Sequence, residues 1–416
     1  MEDLRRDSGV SLTPFFDRCK LPPSVKDDCD AFVRARYPEP IRPAPFQGYC
    51  SYTLFVGEDT IVQFRPLAHK LDINMTTIAC QVFGRIAPKT EFIGQLDTTG
   101  LYAFSMRRLP GVSLSDIRAQ TGDTNAIQTT EQRKQIVRDF AHLQAKVWVH
   151  GKSVKAPPEK GTVGSSLRWR LELMHEALPK RFRRVTGSLM VALPKIEAIP
   201  WTFSHGDLLP SNIMVCPESG KLLGLLDWAE AEFLPFGVGM YGLEELLGED
   251  RGGRFVYYPE AKHLRRLFWR QLLLALPELA QDARLVTLVK KAQTLGILLW
   301  HGIAFDDGKL NRAVEEGKDN EEIEKLDVFL SSSVRGTSGA FSMADGHVVV
   351  IGIKFLALNS AKNLDWATFT ENIISTRGPG PIPHVPPAYP RAMEPTSIDS
   401  VLALPSPPAS QKNLSS

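Results

Sequence analysis

The chain has 416 residues, 43% of them hydrophobic and 23% charged, a balance ordinary for a globular protein and long enough for two domains and a sizeable core. A formal net charge of +2 gives no strong electrostatic pull toward nucleic acid or a membrane surface, so neither is expected as a partner. The five cysteines (Cys19, Cys29, Cys50, Cys80, Cys216) lie far apart without a C-x-x-C pair, which argues against a structural zinc site, and their odd number argues against a disulfide framework.

In chain order, M-E-D-L-R-R-D has no apolar core of a signal peptide, and a cytoplasmic location is expected. Residues 1–40 read as an N-terminal extension with one short helix, Asp27 to Tyr37, ending before Pro38. Tyr49 to Val56 and Thr60 to Arg65 have strand propensity and flank the turn Gly57-Glu58-Asp59, a hairpin. Leu71 to Phe83 suits a helix, and Glu91 to Gln95 with Leu101 to Met106 suits two more strands. Residues 41–110 thus form a small sheet lobe with one helix, closed by the linker Leu109-Pro110-Gly111. Residues 111–330 read as mainly helical. A T-x-x-Q capping box at Thr129 opens a helix with Ile136, Phe140, Leu143 and Val147 on one face. Further helices are expected over Ser166 to Leu178, Pro259 to Leu276, Ala283 to Trp300 and Glu315 to Leu330. Beyond Leu330 one strand is plausible at His347 to Leu358. The longest apolar run, Val348 to Leu358, is shorter than the roughly 20 residues a membrane-spanning helix needs. Residues 376–416 hold ten of the thirty prolines, and residues 331–416 are expected to be largely disordered.

The stretch Phe203 to Trp228, F-S-H-G-D-L-L-P-S-N-I-M-V-C-P-E-S-G-K-L-L-G-L-L-D-W, organises the rest. Ile213 to Val215 and Leu222 to Leu226 read as two strands around the turn Pro217 to Gly220. That hairpin brings Asp207, Asn212 and Asp227 to one rim. Asp207 can accept or orient a hydroxyl proton, while the Asn212 carbonyl and the Asp227 carboxylate offer hard oxygen ligands to Mg²⁺. In-line positioning and charge neutralisation are what phosphoryl transfer asks of a protein.

On these residues, H-G-D-L-L-P-S-N-I with L-L-D-W, the chain closely resembles the aminoglycoside phosphotransferase/choline-kinase-like family over roughly residues 41–330. The resemblance implies an α+β, two-lobed, protein-kinase-like fold and ATP or GTP as co-substrate with Mg²⁺. It implies Asp207 as catalytic base, Asn212 and Asp227 as metal ligands, and His205 as a brace of the loop. Ser51 would meet a phosphate oxygen. The strand T-I-V-Q-F-R carries no lysine, so Arg65 is the cation for the α/β phosphates, with Gln63 as the competing inward residue. The helix Leu71 to Phe83 lacks the usual glutamate, and Asp72 and Asn74 are its stand-ins. Backbone groups of Arg107 and Leu109 would meet a purine edge.

Leu209 where protein kinases usually place a lysine, Trp228-Ala229 after Asp227, and the absence of A-P-E disfavour a protein kinase. The expected function is transfer of a nucleotide γ-phosphate to the hydroxyl of a small molecule. The alternative is a non-catalytic nucleotide-binding scaffold, suggested by the missing lysine and glutamate. Glu230, Glu232, Glu244, Glu245, Glu249 and Asp250 read as a solvated acidic face, or more sharply as a wall drawing in a cationic acceptor. Trp300-His301 reads as core rather than acceptor pocket.

Overall fold

The computed structural model describes residues 13–45, 47–119, 129–153, 158–306 and 309–337, all within one compact unit. Two short helices come first, α1 (Thr13–Arg18) and α2 (Val25–Arg34). Strands β1 (Ile41–Pro43), β2 (Tyr52–Val56) and β3 (Thr60–Arg65) follow, then α3 (Ile73–Phe83), β4 (Thr90–Gln95) and β5 (Tyr102–Arg107). The five strands form one antiparallel sheet in the order β1-β2-β3-β5-β4. The expected hairpin and helix are present, their ends shifted slightly.

Strand alternation gives this sheet two chemically different faces. Tyr52, Leu54, Val62 and Phe64 are buried in a core shared with Phe15, Phe16, Val25, Cys29 and Val33 from α1 and α2. Val25, Cys29 and Val33 recur every fourth residue, so α2 lays one apolar stripe on the sheet. The Tyr52 hydroxyl finds its partner there, donating to Asp30 at 3.1 Å. The opposite face carries Thr53, Gln63 and Arg65 among apolar neighbours such as Phe55, Ile61 and Phe104.

Beyond Gly111 the chain forms β6 (Val112–Ser113), α4 (Leu114–Ala119), α5 (Thr130–Ser153), α6 (Leu167–Ala177), α7 (Arg183–Glu197) and β7 (Trp201–Ser204). Next come β8 (Ile213–Val215), β9 (Leu222–Leu225), β10 (Glu232–Pro235), α8 (Gly242–Leu246), β11 (Gly248–Arg251) and β12 (Arg254–Tyr257). Helices α9 (Ala261–Ala275), α10 (Pro277–Ala280), α11 (Ala283–His301) and α12 (Asn320–Thr337) complete the described chain. A second, larger core joins these helices to β7–β10. The architecture is α+β, a small antiparallel sheet lobe with a larger, mainly helical one. No helix among the described residues is long and apolar enough to cross a membrane.

The capping box at the start of α5 forms as read. Thr129 Oγ1 accepts from the Gln132 N–H (3.2 Å), and Gln132 Oε1 accepts from the Thr129 N–H (2.7 Å). Gln132 Nε2 then donates to the carbonyls of Pro217 and Glu218 (2.7 and 3.0 Å). Asp139, two turns along α5, accepts from the Leu222 N–H at 2.9 Å. The helix therefore grips the β8–β9 hairpin from behind.

Besides short helices that were not foreseen, two longer ones depart from the sequence reading. The last begins at Asn320 rather than Glu315, because Gly317 sits at φ 87° and the Asp319 carboxylate is taken by Arg312 and the Glu315 N–H. It also runs to Thr337, past Leu330, where the tail was expected to start. Helix α7 was not foreseen, since Gly187 and Pro194 interrupt its periodicity. The strand expected at His347 to Leu358 lies outside the described residues, as does the rest of the tail from residue 338.

Candidate active site

The stretch Phe203 to Trp228 folds as the spacing requires. Strand β7 ends at Ser204, a loop carries Asp207 to Asn212, and β8 pairs with β9 through Ile213↔Leu225 and Met214↔Gly224. The Leu226 N–H donates to the Asn212 carbonyl at 2.8 Å, which brings Asn212 beside Asp227. Asn212 Nδ2 donates to the Asp207 carbonyl (3.0 Å) and to its Oδ2 (2.8 Å). The loop also needs Gly206. Its φ is 81°, and a Cβ there would sit 2.0 Å from the Glu230 carbonyl oxygen.

His205 joins the two halves of this rim. Its Nδ1 accepts from the Asp207 N–H at 3.2 Å, so Nε2 carries the ring proton and donates to the Leu226 carbonyl at 2.8 Å. The ring packs on Trp228 with centroids 4.3 Å apart. Burial lowers its pKa to about 4, against a smaller opposing pull from Asp227. A neutral imidazole thus ties the Asp207 loop to the Asp227 loop.

Three carboxyl groups crowd this rim, and Arg65 bonds one of them, Asp227. Burial pushes the Asp207 carboxyl up to about 7, nearby Asp227 pushes it further, and the Asn212 bond opposes both. Glu230 is raised to about 7 by burial and then by Asp227 and Asp207, with Arg65 opposing. Asp207 Oδ1 is buried and has no hydrogen-bond partner. The Glu230 carboxylate bonds no other side chain among the described residues.

Arg65 supplies the cation. It is 3% exposed, its Nε donates to Gln63 Oε1 (3.1 Å), and its Nη2 donates to Asp227 Oδ1 (3.0 Å). Nη1 is buried without a partner. Gln63 does not compete with Arg65 for the inward position, because residues two apart in a strand share a face. Gln63 instead holds the arginine. The stand-ins on the following helix do not reach it: Asp72 caps α3 by accepting from the N–H groups of Asn74 and Met75.

The remaining nucleotide-side residues differ in what they leave available. Ser51 is 2% exposed, with its hydroxyl 3.3 Å from Thr53 Oγ1. Its neighbour Cys50 lies near Arg65, Asp227 and Glu230, and burial raises its thiol to about 11. The Arg107 N–H is taken by the Lys89 carbonyl (3.0 Å) and its guanidinium by Arg85 (2.6 Å). The Leu109 N–H donates to no backbone carbonyl among the described residues. Tyr49 leans on Phe305 of the helical lobe, ring centroids 6.1 Å apart, while Arg18 of α1 donates to the Tyr49 carbonyl and lies 4.1 Å over its ring.

Most of the acidic run is not a solvated face, although Asp250 is exposed. Glu244 is buried against Arg265 and the Tyr257 hydroxyl, and Glu245, 1% exposed, against Lys325 and His301. Glu232 accepts from the N–H groups of Val163 and Gly164. Neutralised in this way, these acids cannot form a wall for a cation, and Glu230 is the member left at the site. His301 is in the core as read, bonded to Glu322, while Trp300 is half-buried and stacked on Tyr241 at 4.9 Å. Glu230 was read only as a member of that acidic run, and Tyr241 is the site residue that sequence reasoning missed. The Tyr241 hydroxyl accepts from the Leu208 N–H at 2.6 Å and so supports the Asp207 loop. The contact between Gly206 and Glu230 could have been suspected from the glycine, but the hydroxyl contact had no sequence signal.

The donor set fits a divalent cation bound with nucleotide phosphates. No group of three His, Cys, Asp or Glu side chains able to hold a metal is found among the described residues. Asn212 Oδ1 and the Asp227 carboxylate are nevertheless hard oxygens on one rim, and phosphates complete such shells. Three carboxylates against one arginine leave a negative excess that a cation would offset. The buried, unpartnered Nη1 of Arg65 is a donor suited to an anion.

Residues 51–237 match the model of a family described as the phosphotransferase enzyme family. Among solved structures the chain is similar to the GDP complex of wild-type aminoglycoside 2'-phosphotransferase-IIIa, with 14% identity, a TM-score of 0.48, and 75% of this chain and 99% of that one covered. It is similar to a choline/ethanolamine kinase family protein from Mesorhizobium loti, with 14% identity, a TM-score of 0.43, and coverage of 76% and 95%. It is also similar to an aminoglycoside-3'-phosphotransferase of type VIII, with 16% identity, a TM-score of 0.42, and coverage of 65% and 98%. A search of curated proteins gave no match.

Proposed function

We propose that this chain, whose residues 51–237 match the phosphotransferase enzyme family, moves the γ-phosphate of ATP or GTP to a hydroxyl of a small molecule. The observation that supports this most is the pair of buried, unpartnered polar atoms at one rim, Asp207 Oδ1 and Arg65 Nη1. An acceptor for a hydroxyl proton and a donor for a phosphate oxygen are each left without a protein partner.

In this reading Asp207 Oδ2 is fixed by Asn212, so Oδ1 is the atom that receives and orients the acceptor hydroxyl. His205 and Tyr241 hold the loop through the N–H groups of Asp207 and Leu208. Arg65 holds phosphate oxygens, and the Leu109 N–H meets the base edge. Magnesium bound at Asn212 Oδ1 and Asp227 would supply charge neutralisation on the phosphates. Glu230, free and beside Asp207, favours an acceptor with a positive group near its hydroxyl. Catalysis then comes from positioning and preorganised charge rather than from a covalent step.

The test is Asp207→Asn. Removing a positioned general base costs about 10²–10⁴ in rate, so turnover should be lost while nucleotide affinity stays near that of the parent. Acceptors are found by a phosphate-release screen over amino alcohols, amines and sugars with Mg²⁺ and ATP or GTP. Nucleotide hydrolysis unchanged in Asp207→Asn would sink the assignment. Nucleotide-dependent thermal stabilisation without turnover across the panel would favour a non-catalytic scaffold.

A further inference from the structure

Resting on that reading, we infer that Arg65 alternates between two partners: it holds Asp227 in the metal-free protein and turns to the nucleotide phosphates when a divalent cation occupies the aspartate. Gln63 is the pivot on which it turns. A guanidinium has five N–H donors, and in Arg65 they are unequally used. Nε is fixed to Gln63, Nη2 is on Asp227, and Nη1 is buried with nothing to bond.

A charged donor left unpaired in a buried place is costly, so the arrangement is one half of a two-position device rather than a finished ion pair. The two partners of Arg65 differ in how firmly they can hold it. Gln63 lies two residues back on β3, on the same face and in a paired strand, so it anchors the Nε end whatever happens at the tip. Asp227 is reached from 162 residues away, its side chain is 37% exposed, and it can be approached from the cleft. Its backbone sits at φ 55°, a left-handed conformation that an aspartate keeps only with local support.

A cation taking the Asp227 carboxylate would release Nη2. Both Nη atoms would then point as a fork suited to two phosphate oxygens, with Nε still held. Without the cation, nucleotide must compete with Asp227 for Arg65. The apparent affinity for metal-free nucleotide is reduced by the fraction of time the arginine is engaged.

Isothermal titration of ATP and of GTP, each with EDTA and each with Mg²⁺, tests this on four proteins: parent, Asp227→Asn, Arg65→Met and the double variant. Asp227→Asn should bind metal-free nucleotide about tenfold tighter than the parent, because the arginine is released. In the Arg65→Met background the same change should give less than about a twofold gain, since there is no arginine to release. Arg65→Gln replaces Arg65→Met should the latter unfold. An equal gain in both backgrounds would mean that only charge repulsion by Asp227 was relieved. That result overturns the inference and leaves the phosphotransfer reading standing. A folded parent that binds neither nucleotide with Mg²⁺ overturns both.

Discussion

At the residue scale, Asp207, Asn212 and Asp227 were legible because a hairpin of short strands leaves little choice about which ends meet. Arg65 was legible as the only cation on its strand, but its partners were not, since strand spacing cannot say that Asp227 lies opposite. Tyr241 escaped because it reaches the site through a backbone approach at Leu208, while Glu230 was read with the acidic run and its approach to Gly206 was not. The carboxyls of Asp207 and Glu230 both sit near 7 in the folded, metal-free protein, above the values of an unfolded chain. A raised acid binds its proton more tightly when folded, so this contribution to stability is full below about pH 4 and is lost as pH rises through about 7. His205 has the opposite sign: its lowered pKa makes a contribution that is lost as pH falls from about 6.5 through about 4. The clean readout is therefore the difference between parent and Asp207→Asn. In EDTA, the melting temperature of the parent should fall relative to the variant between pH 5 and pH 8. A difference that does not change over that range would speak against the buried, charge-crowded carboxyl.

Elements were read well where one local pattern ruled and poorly where two patterns collided. The T-x-x-Q sequence predicted the start of α5, and the structure adds a second task for Gln132, whose amide holds the turn of the β8–β9 hairpin. Gln132→Ala should therefore cost more than a cap alone, about 2 kcal/mol in urea unfolding, from the lost cap and the carbonyls left unbonded. Amide exchange at residues 216–222 should quicken in the same variant. If only α5 frays and the hairpin stays protected, the helix is not what holds it. Helix α7 shows the limit of periodicity, since its buried Leu189, Ala192, Leu193 and Ile196 are interrupted by breakers that tertiary packing overrides.

For the whole molecule, the two-part plan was visible in the shift from alternating strands to helical periodicity at Leu109. What the pattern of α2 could not disclose was its partner. An apolar stripe every fourth residue promises burial against something, and the sheet of the small lobe proves to be that surface. The lobe thus depends on residues that precede its first strand. Phe16 is buried there against Tyr52, ring centroids 5.1 Å apart. Phe16→Ala should cost about 3–5 kcal/mol, a large share of a typical domain's stability. A thermal melt compared with that of an exposed-site control such as Val191→Ala would measure it. A shift no larger than the control's would mean that α1 is not part of the folding unit.

The Gln63–Arg65 pair also bears on how such a protein could be regulated. Where a cation is aimed by an acid on a separate helix, swinging that helix away switches the site off. Here the aiming group belongs to the same strand, two residues from the arginine, and α3 carries no acidic residue to take over the task. Displacing α3 would leave the cation where it is. Among the described residues, then, movement of α3 alone offers no lever on Arg65.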